Sequence, residues 1–250
     1  MEPRIVSLIN SESVAADIVK QDYRTAAVFK NYSIEYCCGA KWPLRMVCEL
    51  RELQLENVLQ DLRNATRTIS ISNTIPFDEW EINFLTDYII KVHHKYLRQA
   101  LPKIKEQLNR FVDEHKKKHP YLEEIATHFS ALYKTMLPHL KQEEEIIFPY
   151  IRHIAHAYES KESYASLLVR TLRKPIEDIM HHEHTTLEKT LLKFRSLTNN
   201  YIPLEAACTS HRLTYSLLQE LDDDLVQHIY LENEILFPKA IAMEKELLQQ

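Results

Sequence analysis

Two segments decide how this chain is read: HLKQEEEIIFP at 139–149 and HIYLENEILFP at 228–238. Six of their eleven positions are identical, and the Leu/Ile exchanges at the second and ninth are conservative. Each opens on a His followed four residues later by a Glu, giving His139–Glu143 and His228–Glu232. On a helix, residues i and i+4 share a face one turn apart. One cation can therefore meet an imidazole and a carboxylate from the same helix. A single His-x3-Glu arises readily by chance where Glu and Lys are abundant. A second copy inside the same extended match, closed again by Phe-Pro, does not.

Outward from the repeat, His94 precedes His139 by 45 residues and His184 precedes His228 by 44. Each half then reads as a helix with a His followed by a helix with His-x3-Glu. A pseudo-two-fold bundle follows, with four imidazoles and two carboxylates converging on its interior, where bundles commonly build such sites. His93 adjoins His94 and points about 100° away on a helix, so at most one of the two is expected to face inward. On the third helix His181, His182 and His184 compete. His184 fits the spacing, and His181 lies one turn away on roughly the same face. His115, His119, His128, His153, His156 and His211 read as surface or helix-end residues. Glu145, Glu183 and Glu234 read as solvated or structural carboxylates, with hydrogen bonding to a ligand imidazole as the alternative.

The rest of the composition agrees with a helical chain. Of 250 residues 45% are hydrophobic and 27% charged, enough for one sizeable core and a smaller domain. Gly occurs once, at Gly39. Sheets rich in turns and phosphate loops both need more. The net charge of −5 is mixed along the chain, with no basic stripe for a nucleic acid. No stretch approaches the roughly 20 apolar residues of a membrane span, and no signal-like segment opens the chain, so a cytoplasmic protein is expected. Four cysteines do not make a disulfide scaffold.

The expected fold class is all-α. Residues 1–67 read as a small helical domain, with Ser13 placed to cap its first helix and Cys48 in its core. The stretch TRTISISNTIPFD lacks helical periodicity, and 68–77 is taken as a linker. Residues 78–250 read as an up-down-up-down four-helix bundle, with helices near 79–116, 119–157, 161–198 and 204–247. Pro102, Pro138, Pro149, Pro175 and Pro238 fall inside these helices and are expected to kink or end them. Cys208, like Cys48, reads as an isolated core residue.

Four imidazoles and two carboxylates are too many ligands for one tetrahedral zinc. They suit two ions, each with two His, bridged by Glu143 and Glu232. Mixed nitrogen and oxygen ligation suits iron, with manganese or zinc open on chemistry alone. About five ligands per ion leaves a position for dioxygen, peroxide, nitric oxide or water.

With those residues in place, the C-terminal part resembles a hemerythrin-like domain. It departs from the oxygen-carrying hemerythrins, whose site takes a further imidazole. The segment FKNYSIEYCCGAKWPL, with Cys37 and Cys38 ahead of the only Gly, is similar to the short domain preceding a hemerythrin-like domain in the iron–sulfur cluster repair family. The resemblance implies a cytoplasmic, dimeric stress-response protein with two non-haem, oxo- or hydroxo-bridged iron ions. It also implies the ligand set His94, His139, Glu143, His184, His228 and Glu232, and damaged iron–sulfur proteins as partners. The expected role is repair of clusters damaged by nitric oxide or peroxide, by holding and delivering iron. The alternatives are a di-iron nitric oxide reductase or peroxidase, or an oxygen or nitric oxide sensor.

Cys37 and Cys38 diverge as neighbours and chelate one metal poorly. A disulfide between them would be strained and easily reduced. They read as a thiol pair for iron transfer or redox sensing, against two buried packing cysteines as the alternative.

Overall fold

The computed structural model describes residues 9–37, 41–66, 75–161 and 176–249, with the side chains of 176–183 left aside. Cys38, Gly39, Pro175, residues 68–74 of the expected linker and the side chains of His181, His182 and Glu183 therefore lie outside the described residues. Spatial contacts of the backbone group Met1–Ser72 with Tyr201–Leu218, and Asn73–Asn200 with Gln219–Gln250.

In the first unit, four short helices, α1 (Ala15–Gln21), α2 (Thr25–Asn31), α3 (Leu44–Leu50) and α4 (Leu55–Thr66), surround one apolar cluster. Phe29, Leu44, Cys48, Val58 and Leu62 are all buried there, and Leu213 joins them. Ser13 does not cap α1. Its Oγ accepts from the Asn10 N–H at 3.1 Å in the preceding turn, which leaves Val14 at the cap position. Cys208 is half-buried rather than a core residue.

The second unit is built from long helical runs whose buried residues follow a helical stripe. One run comprises α5 (Ile82–Tyr88), a π-helical segment (Ile89–His94) and α6 (Lys95–His115). Leu97, Leu101, Ile104, Leu108 and Phe111 are buried at steps of three and four, the signature of one core-facing side. The next run comprises α7 (Tyr121–Gln142), a π-helical segment (Glu143–Ile147) and α8 (Phe148–Ser160). Its stripe passes from Leu122, Ile125, Phe129, Leu132 and Met136 directly to His139 and Glu143. The third run is described as α9 (Ile176–Leu197). The fourth is α10 (Thr209–Tyr230), of which the part from Gln219 onward belongs to this unit, followed by a π-helical segment (Leu231–Leu236) and α11 (Phe237–Gln249). Here Leu221, Leu225, His228 and Glu232 follow the same rule. The runs form an up-down-up-down bundle, α6 beside α7, α7 beside α9, and α8 beside α11. No strand occurs among the described residues, and none of their helices is long and apolar enough to cross a membrane.

The ends differ from the sequence reading for local reasons. The first long helix starts at Ile82 rather than 79, because Phe77–Glu79 forms a separate 3-10 turn. The second continues to Ser160 and stops where Lys161 turns left-handed at φ 50°. The last starts at Thr209 rather than 204. Asn199, Asn200 and Tyr201 all take positive φ, and the Arg212 guanidinium holds the following turn through the Leu204, Glu205 and Ala207 carbonyls. Helices α6 and α7 run through Pro102 and Pro138 without ending. Pro149 and Pro238 fall in the first turn after a π-helical segment, where a missing N–H is tolerated.

Phe111 has no exposed surface and sits near the C-terminal end of the first stripe. Phe111→Ala is expected to lower the unfolding free energy by about 3–5 kcal/mol in denaturant titration, with helical content retained at zero denaturant.

Candidate metal centre

The stripes bring His94, His139, Glu143, His184, His228 and Glu232 together, all buried. Their ligand atoms fall into two overlapping groups. In one, His94, His228, Glu143 and Glu232 each place an atom within 4.8 Å of the others; in the second, His139 and His184 meet the same two glutamates within the same limit. The individual separations are short. His139 Nε2 lies 3.0 Å from Glu143 Oε1 and His228 Nε2 lies 3.0 Å from Glu232 Oε1. His94 Nε2 lies 3.4 Å from Glu143 Oε2, His184 Nε2 lies 3.3 Å from Glu232 Oε2, and the His94 and His228 Nε2 atoms are 3.2 Å apart.

Around this cluster the repeat has a second layer of meaning. His94 Nδ1 donates to Glu144 Oε1 at 2.7 Å, and His184 Nδ1 donates to Asn233 Oδ1 at 2.8 Å. Glu144 and Asn233 occupy the same sixth position of the two segments. Phe148 stacks on the His94 ring at 5.6 Å and Phe237 on the His184 ring at 6.2 Å. These are the Phe of the two closing Phe-Pro pairs. Each segment thus supplies two ligand candidates and also fixes the tautomer and plane of a third, on another helix. Glu145, Glu183 and Glu234 are the residues expected from the sequence for this role; Glu144 and Asn233 fill it, and their equivalence within the repeat is the signal for them.

His93 is a further departure. Both His93 and His94 are buried, in different surroundings. His94 faces the cluster, whereas His93 Nδ1 meets Asp224 Oδ1 at 2.9 Å, and its ring stacks on His228 at 5.8 Å. A bundle helix buries a stripe wider than 100°, so two adjacent residues can both be enclosed. His211 is also buried rather than at the surface, against Tyr215 at 4.3 Å.

The donor set fits a cation. With the Nδ1 protons of His94 and His184 committed outward, their Nε2 lone pairs face carboxylate oxygens. Both Glu143 oxygens, Glu232 Oε2 and His184 Nε2 are buried with no hydrogen-bond partner. Such atoms are costly to leave unsatisfied, and a positive ion satisfies them together. Burial pushes His228 down to about 3 and lowers His94 as well, so both rings stay neutral and able to ligate. Burial lowers His184 too, but Glu143 and Glu232 outweigh it and raise this ring. Burial and the charge of Glu143 push Glu232 up to about 8. Burial acts upward on Glu143 as well, but His139 and His184 outweigh it and hold that carboxyl below its ordinary range. Without a cation, then, the Glu143–Glu232 pair retains one proton near neutral pH. A divalent ion loaded at pH 7 is expected to displace it, together with the proton held on the raised His184 ring, so that binding releases protons. Titration calorimetry in buffers of different ionisation enthalpy reads this; a heat independent of buffer would contradict it.

Cys37 is half-buried after Tyr36, whose ring lies 6.3 Å from Phe29.

Comparison with known proteins agrees with this geometry. The hemerythrin HHE cation binding domain model matches residues 85–240. The ScdA_N model, described as a domain of unknown function (DUF542), matches residues 11–66. The iron-sulfur cluster repair protein YtfE of Citrobacter koseri is 30% identical over 223 residues, covering 88% of this chain and 93% of that protein. Its namesake from Enterobacter sp. is 28% identical over 225 residues, with the same coverage of 88% and 93%. That of Escherichia coli O17:K52:H18 is 30% identical over 223 residues, again covering 88% and 93%. The HHE match spans more than half of the chain and the ScdA_N match precedes it, and on that evidence the chain belongs to the hemerythrin HHE cation binding domain family, among the relatives of the repair protein YtfE.

Proposed function

We propose that this protein holds two iron ions and uses them to repair iron–sulfur clusters damaged by nitrosative or oxidative stress, by delivering iron to the damaged protein. The observation that carries the reading is the pair of four-ligand groups that share Glu143 and Glu232. A shared pair of carboxylates suits two adjacent ions, with His94 and His228 on one and His139 and His184 on the other. Four protein ligands per ion leave coordination open to nitric oxide, dioxygen, peroxide or water. When bound, the ions supply redox chemistry and exchangeable iron. The chain supplies four buried imidazoles, His94 and His184 with their Nδ1 atoms tied outward, two carboxylates that offset the added charge, and an apolar shell that excludes water. The named relatives support cluster repair as the purpose. The same reading places the protein in the cytoplasm as a homodimer, with damaged iron–sulfur proteins as partners. The domain division goes with it: a Cys-Cys domain at 1–67, a linker at 68–77 and the iron-holding bundle at 78–250.

Mössbauer spectroscopy with metal analysis on protein purified without air is expected to find two coupled irons per chain. One zinc per chain would end the case. In a repair assay on a damaged hydratase-type cluster, His139→Leu and Glu232→Leu are expected to lose both an iron and the repair activity; unchanged repair would refute iron delivery.

Cys37 and Cys38 belong to the same proposal as a thiol pair that receives or delivers iron, or senses redox state. The double variant Cys37→Ser, Cys38→Ser is expected to keep two irons while repair falls. Full repair by that variant would remove the pair from the mechanism.

A further inference from the structure

The two halves of the site are alike in ligands and unlike in what stands behind them. The segments 139–149 and 228–238 place Glu144 and Asn233 at the same position, and each accepts the Nδ1–H of one imidazole at nearly the same distance, 2.7 and 2.8 Å. The geometry is matched; the charge is not. Glu144 presents an anion to His94, and Asn233 presents a neutral amide to His184.

That difference acts on the ligand atom. A carboxylate accepting an imidazole N–H polarises the ring and makes the opposite nitrogen a better donor to a metal, and partners of this kind are worth 10–100-fold in affinity. A hydrogen bond to a charged acceptor is also roughly twice as strong as one to a neutral acceptor. Arg98 pairs with the same Glu144 oxygen at 2.8 Å and opposes the effect, but its side chain is 41% exposed against 24% for Glu144. Its charge is therefore screened by solvent more than that of the carboxylate it meets. A second carboxylate stands on the same half. Asp224 holds His93, which lies parallel to the His228 ring at an interplanar angle of 6°.

We propose that the two metal positions are unequal: the His94–His228 position, backed by Glu144, retains its ion, and the His139–His184 position, backed by Asn233, is the one that gives its ion up. This rests on the two-metal reading above and adds direction to it. A protein that delivers iron then keeps one cation to hold the core together while the other leaves.

The test is equilibrium competition between the iron-loaded protein and a ferrous chelator, without air, counting iron retained per chain. The wild type is expected to show one tight and one weak iron. Glu144→Gln keeps the shape and the hydrogen bond but removes the charge, and should weaken the tight iron by about 10–100-fold. Asn233→Asp adds the charge on the other side and should tighten the weak iron by a similar factor. Two irons of equal affinity in the wild type would overturn the proposal. So would a Glu144→Gln that weakens only the weak iron, or an Asn233→Asp that leaves it unchanged. Fewer than two irons bound at saturation would instead defeat the two-metal reading itself.

Discussion

Two carboxylates, Glu143 and Glu232, face one another in a core from which water is excluded, and four imidazoles close around them. In that setting like charges repel strongly, and burial resists ionisation of either group. The pair is tolerable only with a proton or a cation between its members. The surrounding architecture keeps that demand in place. The core stripes of the second and fourth runs deliver the His and Glu residues, and the first and third runs bring imidazoles whose protons are tied outward. The fold and the site are therefore not separable: His139 and His228 continue the same stripes one turn beyond the buried Met136 and Leu225.

Much of this was legible from the chain itself. The His-x3-Glu repeat supplies ligand candidates at helical spacing, and the 45- and 44-residue offsets select His94 and His184 from thirteen histidines. Core stripes at steps of three and four predict long helices, and the absence of glycine apart from Gly39 speaks against sheets. Helix ends were less legible, because positive φ at Asn199, Asn200 and Tyr201 is not encoded by any glycine. The burial of His93 was missed because an angular rule for one helix cannot see the neighbour that brings Asp224. Glu144 and Asn233 were missed because their role depends on the distance between helices, which a single sequence does not contain.

The small N-terminal unit follows different physics. Its helices are seven to twelve residues long, too short to be stable alone. They depend on one cluster around Phe29, Leu44 and Leu62, to which Leu213 from far along the chain contributes. Arg51 donates to the Ser33 carbonyl, and Tyr32 donates to Asp61 at 2.8 Å, tying successive pieces together.

The three π-helical segments, Ile89–His94, Glu143–Ile147 and Leu231–Leu236, each fall on or beside ligand candidates. A π-turn accommodates one residue more than an α-turn before the helix resumes. Loss of one residue inside such a segment would therefore restore a regular helix with everything beyond it in nearly the same phase. Loss of one residue from the regular helix ahead of it has no such slack and swings everything beyond by about 100°. Phe148 and Phe237 would then leave the rings they cover, and the downstream stripes would turn from core to solvent. Tolerance of a one-residue deletion is thus uneven along these runs, greatest inside the π-helical segments and least in the helices that lead into them.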